Sequence, residues 1–297
     1  MRKAFIQLHI AVFLAGFTGI LGRLITLNEG ALVWYRLFIT SLTMWILFSL
    51  TKKLKKVKPA DRLRLTGIGA LSAFHWVTFY GAINYANVSV ALVCFSAVGF
   101  FTALVEPIVT KSRMKPVQLI LGLMVMAGIY LIFHFDPSFK KGIILGIISA
   151  FLISVAITLL KSYVLKYNPE TALTWQLSGG LLVLSACLPF YFRLFPQGDI
   201  IPDTRDILWL LVLAWVCSVI AFQFSSYALQ KLSAFTVNLS FNLEPVYGIL
   251  LAFLVYHENE LLNGGFYAGF ALIMLAIALH GWIVWRQRPS AKQKPTA

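Results

Sequence analysis

The sequence predicts an all-α membrane protein with ten transmembrane helices, arranged as two inverted five-helix repeats. The 297 residues are 59% hydrophobic and only 12% charged, whereas soluble domains are about 45–50% apolar and about 25% charged. The apolar residues form ten continuous runs, each close to the roughly 20 residues that cross a bilayer. Lysine and arginine also gather on one side of these runs, as in cytoplasmic loops.

The apolar runs give the predicted spans in chain order. Their approximate bounds are 4–22, 31–50, 63–83, 89–110, 116–134, 142–161, 171–192, 206–229, 233–256 and 262–285. The connections are short, so no soluble domain is expected between them. The first run has a basic start but no clear small-residue cleavage site, so we expect a retained helix instead of a cleaved signal peptide.

The basic residues predict the orientation of the chain. With the N-terminus in the cytoplasm, 19 of the 25 Lys and Arg residues fall inside, five fall outside, and Arg36 remains within a span. The positive-inside rule then puts both termini in the cytoplasm, with the chain in the cytoplasmic (inner) membrane. The net charge of +14 is explained by topology and anionic lipid, so we expect no nucleic-acid partner.

Two alignments of the chain with itself predict a repeat. A shift of 146 residues places Gly99 over Pro245 and Ser112 over Glu258, and a shift near 140 places Trp34-Tyr-Arg36 over Thr174-Trp-Gln176. Five spans per half is an odd number, so the second half enters the membrane from the opposite side. We therefore expect inverted repeats at 1–135 and 142–286, followed by a cytoplasmic tail at 287–297, the architecture of many secondary transporters.

The ninth predicted span contains the densest set of polar residues. A charged side chain at a helix centre costs about 2.5–3.5 kcal/mol on insertion scales, so such residues need partners or a water-filled cavity. Pro245 lacks an N–H group and is expected to bend or break the helix. We interpret the set as the lining of a central substrate cavity, although polar residues also join packed membrane helices. Its members are Asn238, Ser240, Asn242, Glu244 and Tyr247.

The third predicted span supplies further cavity candidates. His75, Trp76 and Tyr80 could bind a substrate ring or ammonium through cation–π contact, and His75 could titrate. The alternative is a neutral histidine bonded to a neighbouring helix. Gln223 in the eighth span is a further candidate.

A second group of polar residues is assigned gating or structural roles. Arg36 lies about five residues into its span and could snorkel to the interface or pair with an acid such as Glu29. Gln176 stands at the corresponding position of the second half. His9 could line the inner mouth or serve in packing, and Pro245 completes the group.

Several short motifs resemble those of EamA-domain proteins in the drug/metabolite transporter superfamily. The resemblance covers essentially the whole chain and implies ten helices, cytoplasmic termini, a central cavity and export of small metabolites. Gly99 stands where the second repeat has Pro245, and Gln176 stands where the first has Arg36, so we expect the halves to contribute unequally. The motifs are Phe13-Leu-Ala-Gly-Phe-Thr18, Trp34-Tyr-Arg36, Ala82 to Tyr85, Leu243-Glu-Pro245, Tyr256-His-Glu258 and Gly269.

These features predict a secondary transporter that exports small polar or amphipathic metabolites, with amino acids or related compounds favoured. Glu244 or His75 could couple transport to a proton, and passive exchange is the alternative. Channels usually show a filter or charged rings, neither of which is visible, and a scaffold stays the other alternative. The common signatures of membrane enzymes are absent. Cys94, Cys187 and Cys217 show no CxxC spacing, so we predict no metal or cofactor, and no GxxxG face predicts an oligomer.

Overall fold

The computed structural model describes residues 2–135, 137–196, 198–231, 240–241 and 243–286. These residues form helices joined by short loops, and the described part of the chain contains no β-strand. The helices are α1 (Arg2–Leu24), α2 (Glu29–Leu50), α3 (Pro59–Tyr85), α4 (Val88–Phe95), α5 (Val98–Thr110), α6 (Pro116–Phe135), α7 (Lys140–Lys166), α8 (Pro169–Leu194), α9 (Thr204–Ala214), α10 (Ala221–Lys231), α11 (Glu244–Tyr256) and α12 (Gly264–Arg286).

Within the described residues, seven helices are long and apolar enough to cross a membrane by length and composition. They include the continuous pair α4–α5, Val88–Thr110, and the pair α9–α10 over Thr204–Ser225. Two shorter apolar helices cover Pro116–Ile132 and Glu244–Tyr256. The predicted class, an all-helical multi-pass membrane protein, is confirmed, whereas the inverted ten-helix arrangement stays a prediction.

Three predicted spans differ from the helices observed. The run at 89–110 is divided at Ser96 and Ala97, whose N–H groups bond to carbonyls three residues back, the tighter pattern of a 3₁₀ turn. The run at 206–229 contains a π-helical turn, Trp215–Ile220. In the run at 233–256, residues 232–239 and 242 lie outside the described residues, so nothing is said of Asn238 and Asn242. Pro245 lies in the first turn of α11.

The tightest helix packing occurs between the halves of the chain. Helix α3 packs against α7 and α8, and α6 packs against α12. A Cβ atom built on Gly69 of α3 would clash with the carbonyl of Gln176, and one on Gly180 of α8 would clash with the carbonyl of Gly69. Gly128 and Gly269 meet in the same way between α6 and α12. Small residues allow such backbone contact between membrane helices.

Several helix ends of the first half recur in the second half, at the two shifts by which the sequence aligns with itself. Helices α5 and α11 each contain 13 residues, and both are followed by a left-handed residue, Lys111 and His257, with φ 53° in each case. These residues stand 146 positions apart. Asn28 caps α2 and Asn168 caps α8, 140 positions apart, each through its side-chain oxygen. A duplicated five-helix unit would produce this pattern.

The two ends of the bundle are held by corresponding aspartates. We call the end where α1 begins the terminal face, and the end with the α1–α2 loop the distal face. At the terminal face, Asp61 of α3 accepts hydrogen bonds from Lys166 (2.5 Å) and the Tyr167 hydroxyl (2.6 Å). At the distal face, Asp206 of α9 accepts from the N–H (2.9 Å) and hydroxyl (3.0 Å) of Thr26. Each third helix is thus anchored on the first loop of the other half.

Candidate functional site

A buried cation lies where both halves of the chain meet. Arg36 of α2 is 3% exposed. Its Nε donates to Ser218 Oγ (3.1 Å) and its Nη1 donates to the Tyr80 hydroxyl (2.8 Å). Its guanidinium carbon lies 4.4 Å from the centre of the Trp76 ring, a cation–π contact. Trp76 and Tyr80 are predicted cavity residues. Both contact Arg36, for which a gating or structural role is predicted.

The two environments predicted for Arg36 are both wrong. Arg36 does not snorkel, because its side chain points among α3 and the π-helical turn and is buried there. It does not pair with Glu29, because Glu29 accepts instead from the Tyr191 hydroxyl (2.8 Å) and the Asn84 amide (3.3 Å).

The π-helical turn explains how Ser218 reaches Arg36. Ser218 Oγ donates to the carbonyl of Leu213 (3.1 Å), five residues earlier, while it accepts from Arg36. A π turn inserts an extra residue into a helix and so re-aims the side chains around it, often at functional sites. The hydroxyl is therefore fixed in direction as well as position.

The charge of Arg36 is not balanced by contact with an acid. Both of its hydrogen-bond acceptors are neutral hydroxyls, and no carboxylate of the described residues forms an ion pair with it. Glu244 lies near enough to interact electrostatically with Arg36. The Glu244 carbonyl also packs on α1, 2.9 Å from a Cβ built on Gly16. An unpaired buried charge is costly, so this arrangement favours an anionic ligand.

His75 and Gln176 join neighbouring helices. His75 is buried, and its Nδ1 lies 2.8 Å from Ser149 Oγ and 3.1 Å from the Ser149 carbonyl on α7. These contacts match the packing interpretation, and a role in binding stays a prediction. The Gln176 amide donates to Ser72 Oγ (2.8 Å). Its buried Oε1 has no partner within the part of the chain described.

The remaining described candidates have other surroundings. His9 stacks on Phe5 with ring centres 6.0 Å apart. Tyr247 meets Phe13 edge-on at 6.1 Å. Gln223 lines a cavity near the terminal face. Among the described candidates, Arg36, Trp76 and Tyr80 are in direct contact.

Two cavities open toward opposite faces. The terminal cavity has a volume of about 230 Å³ and is lined by α1, α2, α8 and α10. The distal cavity has a volume of about 450 Å³ and is lined by the α1–α2 loop with the ends of α3 and α8. Arg23, Glu29 and Asn84 contribute polar groups to the distal cavity. Both volumes are large enough for small metabolites.

The role of Glu258 was missed in the sequence. Its side chain is fully buried and accepts from the N–H groups of Val88 and Ser89, the Ser89 hydroxyl and Arg23. The carboxylate thereby caps the start of α4, where the helix dipole favours negative charge. The motif Tyr256-His-Glu258 marked the position, but nothing local indicated that the acid turns inward.

Comparison with known proteins divides the chain into the same two halves. Residues 2–134 and 140–282 each match the model described as the EamA-like transporter family. A protein of Archaeoglobus fulgidus described as an uncharacterized transporter is 26% identical over 203 residues, which cover 66% of this chain and 67% of that protein. One solved crystal structure aligns with a TM-score of 0.66 at 17% identity, covering 97% of this chain and 100% of that one. That likeness shows a shared fold.

Proposed function

Because the chain belongs to the EamA-like transporter family, and so to the drug/metabolite transporter superfamily, we propose that it exports small polar or amphipathic metabolites by alternating access. Amino acids or related compounds are the proposed cargo. The family and the transporter-named relative indicate a transporter rather than an enzyme. We place it in the cytoplasmic membrane with both termini inside, which the distribution of basic residues supports.

The proposed architecture is two inverted repeats, 1–135 and 142–286, with 287–297 as a cytoplasmic tail. Two matches to one family model support it, as do the recurring bounds of α5 and α11. Transporters of this type bind substrate near the midplane where the repeats meet.

The observation that carries the proposal is the position of Arg36. Its contacts come from both halves, with Trp76 and Tyr80 from the first and Ser218 from the second. A buried cation without an acid in contact, placed between two repeats, is suited to hold the anionic group of a transported molecule.

Counterflow in liposomes tests this function. Purified protein is reconstituted with unlabelled amino acids inside, and labelled amino acid is added outside. A carrier accumulates the label transiently, whereas a pore only equilibrates it. We expect accumulation by the unchanged protein, loss in Arg36→Gln, and retention in the control Arg113→Gln, which changes an exposed arginine. Simple equilibration would support a channel, and absence of saturable exchange across a metabolite panel would contradict the proposal.

Proton coupling is the second part of the proposal. Glu244 and His75 are groups in the described spans that can change charge during a transport cycle. A pH gradient across the liposomes should drive net flux, and Glu244→Gln should remove that dependence if the carboxylate carries the proton. Flux that ignores the gradient would leave passive exchange as the mechanism.

A further inference from the structure

We propose that a phospholipid with an anionic headgroup binds at the terminal face, with its phosphate on Arg62 and its acyl chains along the junction of α2 and α8. The headgroup is received by Arg62 and by the basic loop 52–58 that joins α2 to α3. Trp45, Trp175 and the exposed apolar residues beside them receive the chains. Neither Arg62 nor these tryptophans line the two cavities, so the site does not depend on the transported molecule.

The connection between α2 and α3 carries a large excess of positive charge. Residues 52–64 contain seven Lys or Arg residues and one acid, Asp61, which is already bonded to Lys166. The corresponding segment of the second half, 196–209, contains one basic residue and three aspartates. The excess is therefore not needed to join a second helix to a third. Basic residues beside membrane helices attract anionic headgroups by about 1 kcal/mol each.

The basic loop is folded against the start of α8. Lys55 Nζ donates to the Tyr167 carbonyl (2.8 Å), and Asn168 Nδ2 donates to the Lys53 carbonyl (2.9 Å). Val57 is buried in a small apolar cluster. The loop is thus fixed before a ligand arrives, which lowers the entropy cost of binding. The exposed lysines of this loop whose side chains make no bond within the described part of the chain are Lys52, Lys56 and Lys58.

Arg62 is oriented to receive a phosphate. Its Nε donates to the Val57 carbonyl (3.0 Å), and its guanidinium carbon lies 4.7 Å from the centre of the Trp175 ring. The residue is exposed, and no acid among the described residues forms an ion pair with it. These two contacts fix the plane of the guanidinium and leave its Nη groups for a ligand. A planar guanidinium binds phosphate through two parallel hydrogen bonds.

Two tryptophans beside Arg62 place the site at the membrane interface. The Trp175 ring meets the Trp45 ring edge-on at 5.4 Å, and Trp45 Nε1 donates to Ser178 Oγ (2.8 Å). Trp45 lies five residues before the end of α2, and Trp175 lies six residues after the start of α8. Both are therefore about 8–9 Å inside the helix ends, where tryptophan is enriched in membrane proteins. Arg62 stands at the level of the headgroups.

Exposed apolar side chains continue the site toward the centre of the bilayer. On α2, Ile46 and Leu42 are 53% and 50% exposed, and on α8 Leu182, two turns beyond Trp175, is 67% exposed. Side chains at this depth meet hydrocarbon. A soluble anion would use Arg62 and the lysines but not this apolar surface. The combination of a fixed guanidinium, interfacial indoles and an apolar path favours a phospholipid.

A second arginine–tryptophan pair provides a matched control. The guanidinium carbon of Arg286 lies 4.2 Å from the centre of the Trp282 ring, and both residues are exposed. Helix α12 follows the distal loop that contains Glu258, so its end lies at the terminal face. Arg286 makes no bond to a carbonyl within the described part of the chain. It therefore offers the same pair of side chains at the same face without a fixed guanidinium.

Photo-crosslinking tests the site. The protein in detergent micelles is irradiated with phosphatidylglycerol carrying a diazirine in one acyl chain, or with the matching phosphatidylcholine, and labelled peptides are mapped by mass spectrometry. We expect phosphatidylglycerol to label the peptides of Trp45 and Trp175 about tenfold more than phosphatidylcholine does. Arg62→Gln should lower this labelling about fivefold, the effect of one basic residue near a headgroup. Arg286→Gln should leave it unchanged.

A second variant keeps the test independent of the fold of the loop, since Arg62→Gln also removes the bond to Val57. Lys52→Gln, Lys56→Gln and Lys58→Gln combined remove no side-chain bond of the described residues and should lower the labelling by about tenfold or more. Excess sn-glycerol 3-phosphate should not compete, and full competition would replace the phospholipid with a soluble anion. Equal labelling by the two lipids, or labelling unchanged in both variants, would overturn the site.

Discussion

The first and second halves of the chain place their helices alike but secure them with different chemistry. Asp61 and Asp206 occupy the first turns of α3 and α9, yet Asp61 receives an ammonium, whereas Asp206 receives the neutral donors of Thr26. Glu258 is fully buried at the distal face, while its counterpart Ser112 lies exposed at the terminal face. The halves therefore match in helix bounds but differ in the partners of their acids: Glu258 accepts from Arg23 and from buried backbone N–H groups of α4, whereas Asp61 accepts from the half-exposed Lys166 and from Tyr167.

The largest difference is expected at Glu258. Glu258→Ala removes the acceptor of Arg23 and of the α4 N–H groups, so we expect a loss of about 3–5 kcal/mol in the free energy of unfolding. Ser112→Ala at the matched position should change it by less than about 0.5 kcal/mol. Unfolding in detergent micelles, followed by tryptophan fluorescence, measures both. Similar losses in the two variants would refute the asymmetry between the faces.

A smaller loss is expected at Asp206. Asp206→Ala removes a buried carboxylate that accepts two bonds from Thr26, and we expect a cost of about 2 kcal/mol, because the donors lose a charged acceptor. Thr26→Val removes the hydroxyl bond alone and should cost less. The same unfolding measurement applies, and a loss in Thr26→Val equal to that in Asp206→Ala would show that the backbone bond contributes nothing.

The halves should also differ in transport at the matched positions Glu244 and Val98. We expect Glu244→Gln to lower the rate of counterflow about tenfold, or about 1.4 kcal/mol of activation free energy, with membrane insertion unchanged. Val98→Ala, at the start of α5, should transport normally. If Glu244→Gln also transports normally, the carboxylate serves packing alone.

The weakest expected effect is the pH dependence of the stability that Asp61 and its partners Lys166 and Tyr167 contribute at the terminal face. Hydrogen bonds from Lys166 and Tyr167 lower the pKa of Asp61 below its usual value, and the bond to Asp61 raises the pKa of Lys166. The contribution of Asp61 to stability is therefore present above about pH 4 and lost as pH falls through its lowered pKa. That of Lys166 is present below about pH 10 and lost as pH rises through its raised pKa.

Unfolding temperatures of the unchanged protein and Asp61→Asn, compared across pH, measure this effect. The difference between them should be constant from about pH 5 to pH 9 and shrink at both extremes. Arg64 lies 3.8 Å from Asp61 and stays charged throughout, so it does not shift the window. A difference that is unchanged at low pH would mean that the carboxylate is not ionised in the folded protein.

The sequence was sufficient for the membrane class, because continuous apolar runs are local features. It was insufficient for the pairing of Arg36 with Tyr80 and Ser218, which lie on other helices. Hydropathy cannot tell which side of a span faces a neighbour, since lipid and packed helices are similarly apolar. The turn between α4 and α5 was missed for a related reason, because the backbone tightens at Ser96 and Ala97 without any interruption of the apolar run.

The glycine contacts between α3 and α8 bear on how the chain is assembled during synthesis. Helix α3 enters the membrane before α8 has been translated, so the surface around Gly69 and the carboxylate of Asp61 then have no Gly180 or Lys166 to meet. The first half of the chain therefore reaches the bilayer with a close packing surface of α3 uncovered. That surface is covered only when α7 and α8 of the second half arrive.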